Sequence, residues 1–191
     1  ARRRLVYYRE QAPQAQNRQS LFLIEARATH AYWQMFAILC HAPGTWRRRY
    51  PQAYDGLNIL LNTGYTTLSR HGLAALEHAG LLPEIGVLHG DNAEDGLVFD
   101  LIEPFRQAIV DNVLIPLFSR RRSGWQAVDD QTLKKGFARL HNHWQHYIFY
   151  YGRCETFERV LVREAIGLRN AILRYQSWIP YKHSWNHHSK C

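Results

Sequence analysis

The stretch from Asn58 to Arg106 leaves this chain few ways to fold. It begins inside a long helical pattern, from about Asp55 to Ala79, which Gly80 terminates. Gly64 and Gly72 lie within that pattern, where each costs helix propensity, so another backbone is expected to pack closely there. Residues 81–99 then carry Pro83, Gly86, Gly90 and Gly96, the composition of a loop, with room for a short strand at Leu97–Phe99. A further helix is predicted from near Asp100 to about Phe118, with Pro104 accommodated in its first turn. Two long helices joined through a glycine-rich turn form a unit of a helical bundle, not of a sheet.

The rest of the chain has the same period. Ser20 reads as the N-cap of a helix to about Cys40, with Leu21, Ile24, Ala28, Ala31, Tyr32, Met35, Phe36 and Leu39 as its apolar stripe and Glu25 beside it. Pro43, Gly44 and Pro51 break the pattern. Asp129 or Asp130 caps a fourth helix to about Tyr151, and a fifth spans roughly Glu155 to Trp178. The fold class is therefore all-α: one multi-helix domain over 20–178, a basic lead-in at 1–19 and a tail at 179–191.

Charge narrows the partners. The formal net charge is +8 with a pI near 9.6, which points to a polyanion. Arginine triplets occur at Arg2–Arg4, at Arg47, Arg48 and Arg49, and at Arg120, Arg121 and Arg122, each at the edge of a helical segment. Guanidinium forks suit phosphate, so these triplets, with Arg106, Lys134, Lys135 and Arg139, are candidate DNA or RNA backbone contacts, and Arg106 could equally hold its helix by pairing with a carboxylate. No apolar run has membrane-spanning length, so no membrane is expected. Cys40, Cys154 and Cys191 are widely spaced without a CxxC, which fits a reducing cytoplasm and argues against a disulfide framework.

Three groups carry candidate chemistry. Asp100 and Glu103 form an Asp-x-x-Glu, and on local sequence alone a capping box is the stronger reading. Asp100 could cap or orient while Glu103 reaches outward to a ligand. His89 in its loop and Glu25 beside its stripe are ordinary taken singly, and spacing alone cannot bring the three positions together. His141, His143 and His146 lack a neighbouring cysteine or carboxylate, and read better as a packed or interface face than as a zinc site. Trp125, Trp144 and Tyr147 could stack on bases, but core packing is the better reading. No nucleophile elbow, Walker loop or dinucleotide fingerprint is present, so covalent catalysis has little support.

Several motifs together resemble a known family. Asn58-x-x-Leu61-Asn62-x-Gly64-Tyr65-x-x-Leu68, Gly80-Leu81-x-Pro83-x-x-Gly86-x-Leu88-His89, and Asp100-Leu-Ile-Glu103-Pro-Phe105-Arg106 with Asp111 are similar to signatures of the helical C-terminal domain of the CRISPR adaptation integrase, the Cas-one family. Ile24-Glu25-Ala26 followed by Tyr32-Trp33 resembles its glutamate helix. The likeness covers about residues 20–118 well. It implies that the glutamate helix faces the His89 loop and that Glu25, His89 and Glu103 bind one Mg²⁺ or Mn²⁺, with Asp100 an acidic neighbour at the catalytic site. The family's N-terminal β-domain has no room ahead of Glu25, so the chain is expected to be either a cut fragment or a compact member of the kind associated with type V loci.

The resemblance further implies an enzyme that joins the 3′-hydroxyl of a short prespacer duplex to the CRISPR repeat by transesterification, with endonuclease activity when water replaces the hydroxyl. A homo-oligomer, dimer or tetramer, is expected, because two-ended joining needs two sites. The aromatic fourth helix and tail are the expected interface, and the small partner Cas-two is not expected to be required. Two other readings stay open: a stand-alone metal-dependent nuclease on branched DNA, and a non-catalytic helical DNA-binding subunit whose acidic residues only cap helices.

Overall fold

The long helix predicted at the centre of the sequence is also at the centre of the molecule. The computed structural model describes residues 2–42, 44, 46–90, 94–119 and 130–182. The chain runs α1 (Arg2–Gln11), a 3-10 turn (Ala12–Gln14), α2 (Arg18–Leu39), α3 (Gly56–Ala79), α4 (Gly96–Phe105), a π-helical turn (Arg106–Asp111), α5 (Asn112–Ser119), α6 (Asp130–Trp144), strands β1 (Tyr147–Tyr150) and β2 (Arg153–Thr156), and α7 (Phe157–Leu173). The all-α expectation holds, with one two-stranded hairpin added.

α3 forms where the sequence placed it. Asp55 caps it by accepting the Asn58 N–H at 3.0 Å, and Gly80 ends it in the left-handed region at φ +69°. Leu57, Leu60, Leu61, Leu68 and Leu76 are fully buried, each contributing about 1.5–3 kcal/mol. Around this core pack α4, the π turn, α6 and α7. A Cβ on Gly64 would stand 2.6 Å from Val110, and one on Gly72 2.6 Å from Ile102. The close approach predicted at these glycines is real, but side chains of the following helices make it, not backbone.

The other boundaries shift. Asn17, not Ser20, caps α2: Ser20 N–H donates to Asn17 Oδ1 at 2.9 Å and Asn17 N–H donates to Ser20 Oγ at 3.2 Å. The basic lead-in contains a helix, α1, which buries no residue and lies along α2. α4 begins at Gly96, so Leu97–Phe99 is helix and not strand. Pro104 lies in its last turn, not its first, and leaves the Asp100 carbonyl without its N–H donor. The wider π turn follows directly and carries the helix on into α5. α6 stops at Trp144, and the aromatic run after it forms β1. Tyr151 at φ +41° and Gly152 at φ +84° make the two-residue turn into β2, with Tyr147 opposite Thr156.

α7 is capped by Thr156 and ends at Leu173, short of the predicted Trp178. The chain then returns along α4. Tyr181 is buried and stacks on Phe105, ring centroids 5.0 Å apart. Glu164, 3% exposed, accepts from Tyr150 Oη at 2.7 Å, from the Tyr181 N–H at 3.0 Å and from the Trp178 indole, so one carboxylate ties hairpin, helix and returning strap together. Cys40 is buried in the core, and Cys191 lies outside the described residues. Among the described residues no helix is long and apolar enough to cross a membrane.

One carboxylate is buried in the middle of this core. Asp111, 1% exposed, accepts hydrogen bonds from Tyr32 Oη on α2 and from Tyr65 Oη on α3, the latter at 2.5 Å. Burial pushes its carboxyl up to about 6, while the two phenols and the charges of Arg106 and Arg49 pull it back. A raised folded-state value means that the stability Asp111 contributes is fully present below about pH 4 and lost as pH rises through about 6. Wild type should therefore lose about 3 kcal/mol against Asp111→Asn between pH 4 and pH 7. Urea denaturation of both proteins at both pH values measures this. An unchanged difference would refute it. Tyr32→Phe should cost about 1–2 kcal/mol by leaving a buried acceptor short of a donor.

Candidate active site

The site is assembled from three elements that do not adjoin in sequence. The first turns of α2 present Arg18, Phe22 and Glu25 at helical spacing on one face. Arg18 Nε donates to the Leu88 carbonyl at 2.9 Å, and the Phe22 ring meets the His89 ring edge to face, centroids 5.6 Å apart. The glutamate helix thus lies against the His89 loop, as the resemblance implied. Arg18 and Phe22 went unread in the sequence, although their i, i+4, i+7 relation to Glu25 was the signal available.

The loop is held from the other side by α4. Asp100 is the fifth residue of that helix, so it is no cap, and the capping-box reading fails. Its Oδ2 accepts the N–H groups of Val87 at 2.5 Å and Leu88 at 2.9 Å, and its Oδ1 accepts the His89 N–H at 3.2 Å. His89 Nδ1 lies 2.7 Å from the same Oδ1. An ionised carboxylate can only accept, so Nδ1 carries the proton, and in the neutral imidazole Nε2 then keeps its lone pair. Asp100 has its oxygens occupied and therefore orients His89. The loop approaches closely: a Cβ on Gly96 would fall 2.0 Å from the His89 carbonyl oxygen.

Glu103 stands one turn beyond Asp100. Burial raises its carboxyl above the usual range, Arg106 and His89 lower it, and Glu25 and Asp100 raise it, so all four lie within its electrostatic reach. Its Oε1 is buried against Arg106 Nη1 at 2.5 Å, without a well-aligned hydrogen bond, while the side chain as a whole is 37% exposed. Glu25 is half-buried, with the Thr29 hydroxyl 3.4 Å from its Oε1. The donor set, two carboxylates and a neutral imidazole with one nitrogen free, is that of a Mg²⁺ or Mn²⁺ centre. Among the described residues, however, no three such side chains stand close enough to form a finished ligand group. Beside Asp100 and Glu103 opens a cleft of about 770 Å³, walled by Val87, Leu88, Leu168, Ile172, Tyr175 and Trp178.

The remaining candidates divide. Arg47, Arg48, Lys134, Lys135 and Arg139 are exposed. Arg49 is turned inward, its Nε donating to Asn62 Oδ1 at 2.7 Å and its guanidinium 4.7 Å from the Tyr65 ring centroid. Arg106 pairs with Glu103, Nη1 to Oε1 2.5 Å, with 30% of its side chain exposed. Arg120, Arg121, Arg122 and Trp125 lie outside the described residues. Trp144 is 5% exposed and stacks on His71, which is core packing as expected. His143 is spent on the Ala108 carbonyl and stacks on His146.

Gly96→Ala should force the His89 loop off α4, with an overpacking cost of about 1–3 kcal/mol. Hydrogen exchange should quicken at the Val87, Leu88 and His89 amides and stay unchanged within α3. Unaltered protection of those three amides would refute the loop's dependence on Gly96.

Comparison with known proteins agrees with this fold. The family described as CRISPR associated protein Cas1 matches residues 1–140. A CRISPR-associated endonuclease Cas1 of Thermus thermophilus is 33% identical over 180 residues, covering 91% of this chain and 52% of that protein. The chain spans about half the length of the curated relatives it matches. A solved casposase bound to integration product shares the fold at a TM-score of 0.69 and 22% identity, over 86% of this chain and 50% of that one. A Cas1 protein from Thermotoga maritima does so at 0.71 and 21%, over 88% and 56%. With the family match extending through α2, the His89 loop, α4 and most of α6, the chain belongs to the Cas1 family.

Proposed function

We propose that this chain is the catalytic part of a divalent-metal-dependent DNA integrase of CRISPR adaptation. Its reaction joins the 3′-hydroxyl ends of short DNA fragments to the CRISPR repeat. The observation that carries this reading is the His89–Asp100 pair beside Glu103 and Glu25. An imidazole whose Nδ1 proton is committed lies within electrostatic reach of Glu103, in a chain of net charge +8. The solved casposase bound to integration product supports it, since that protein shares this fold.

The step is an exchange of phosphodiesters. The fragment's 3′-oxygen forms a bond to phosphorus, the bond from phosphorus to the repeat's own 3′-oxygen breaks, and the proton of the attacking hydroxyl ends on that leaving oxygen. Water in place of the hydroxyl gives strand cleavage, in keeping with the endonuclease names of the relatives. A bound Mg²⁺ or Mn²⁺ supplies charge stabilisation at the phosphoryl oxygen. Glu25, Glu103 and His89 Nε2 are the groups that would hold it. Asp100 keeps His89 in the right tautomer, and the apolar cleft wall limits water beside the carboxylates. Arg47, Arg48, Lys134 and Lys135 supply a sequence-independent hold on the DNA backbone. Two-ended joining calls for a multimer with two such sites.

Strand transfer of a labelled duplex into a supercoiled plasmid carrying the repeat, with Mn²⁺ and no added partner, tests the reading. Wild type should join, and His89→Ala and Glu103→Gln should fall to background while binding DNA nearly as before. Equal loss of binding and joining in both variants would contradict the assigned roles. DNA affinity should fall by about a thousandfold between about 50 and 200 mM salt if roughly six phosphates are contacted. A flat salt response would remove the backbone hold.

A further inference from the structure

The polar core and the site meet at one residue. Tyr65 on α3 is 5% exposed, and its hydroxyl donates to the buried Asp111. Over its ring lie two guanidinium groups, Arg49 with Cζ 4.7 Å and Arg106 with Cζ 5.7 Å from the centroid. Arg49 is pinned by Asn62. Arg106 carries its Nη1 to Glu103 Oε1 at 2.5 Å. Two like charges over one ring repel each other, and the Asp111 carboxylate beside them offsets that repulsion.

Glu103 Oε1 is buried against Arg106 while the side chain keeps 37% of its surface exposed, so the oxygen left open is Oε2. Which oxygen is left open follows from where Arg106 lies, and Arg106 lies over the Tyr65 ring. We infer that Tyr65 is a positioning residue for Glu103, acting through the Arg106 guanidinium to turn one carboxylate oxygen inward and leave the other for a divalent cation. The inference rests on the reading of Glu103 as a metal ligand. It gives the tyrosine a role that its hydroxyl does not perform: the flat face of the ring carries it, by the attraction between guanidinium and π face.

The test separates ring from hydroxyl and aim from charge. Tyr65→Leu removes the ring without changing the number of charges near Glu103. Tyr65→Phe keeps the ring and loses only the bond to Asp111. Tyr32→Phe removes the other phenol from Asp111 and touches neither Arg106 nor Glu103, so it controls for loss of stability alone. Arg106→Lys keeps the charge and loses the planar fork, and it decides the matter if Tyr65→Leu does not fold.

Mn²⁺ binding to the full chain, read from the electron paramagnetic resonance signal of free Mn²⁺ without DNA, is the readout, with circular dichroism and Tm on each variant. Tyr65→Leu and Arg106→Lys should weaken Mn²⁺ binding about ten- to a hundredfold, the usual effect of removing a group that orients a ligand. Tyr65→Phe and Tyr32→Phe should stay within about threefold of wild type by the same comparison. Wild-type affinity in a folded Tyr65→Leu or in Arg106→Lys overturns the inference and leaves the metal reading standing. So does equal weakening in all four variants, which marks a purely structural network. A wild type that binds no Mn²⁺ overturns the metal reading itself, and this inference with it.

Discussion

The His89 loop takes its shape chiefly from one carboxylate on the helix that follows it. Asp100 gathers three consecutive backbone N–H groups and an imidazole from a loop that lies eleven to thirteen residues earlier in the chain. Each bond to an ionised acceptor exceeds an ordinary hydrogen bond, and together they replace the helix or sheet that would otherwise give such a loop a single conformation. The loop has no regular structure of its own beyond its turns. Its order comes from α4 through Asp100, and from α2 through Arg18 and Phe22. His89 is placed by its neighbours' backbone contacts as much as by its own side chain.

Behind the site the same economy recurs. Asp111 and Glu164 are buried acceptors, each joining elements distant in sequence. Asp111 joins α2, α3 and the π turn, and Glu164 joins hairpin, α7 and the returning strap. Their cost in desolvation is visible in the raised values of both carboxyl groups. Both sites specify which surfaces meet, a role that leucine packing alone performs loosely.

The sequence made much of this legible, for identifiable reasons. α3 was readable because cap, apolar period and terminal glycine all agree. The motif residues Glu25, His89, Asp100 and Glu103 could be named, but their meeting depended on tertiary contacts that no spacing encodes. Asp100 misled because Asp-x-x-Glu looks identical whether the carboxylate serves its own helix or a distant loop. α1 escaped because it buries nothing, so no apolar stripe announces it. The hairpin escaped because Tyr147–Tyr151 continues an aromatic run that also fits a helix, and Tyr-Gly is a quieter turn signal than Asn-Gly. Arg49 looked like a phosphate contact because charge composition says nothing about which way a long side chain turns, whereas the carboxylate pairing open to Arg106 is the one observed.

The strap held by Glu164 has a consequence for synthesis. One wall of the cleft beside Glu103 is built from Tyr175, Trp178 and Pro180, which leave the ribosome more than seventy residues after the carboxylates they shelter. At about 5–20 residues per second that is an interval of about 4–15 seconds. During it, α2, the His89 loop and α4 are all present while the wall is still missing. The cleft wall is complete only when the returning chain delivers Tyr181 to Phe105, so the side of α4 that carries Glu103 lacks that cover until nearly all of the described chain has been made.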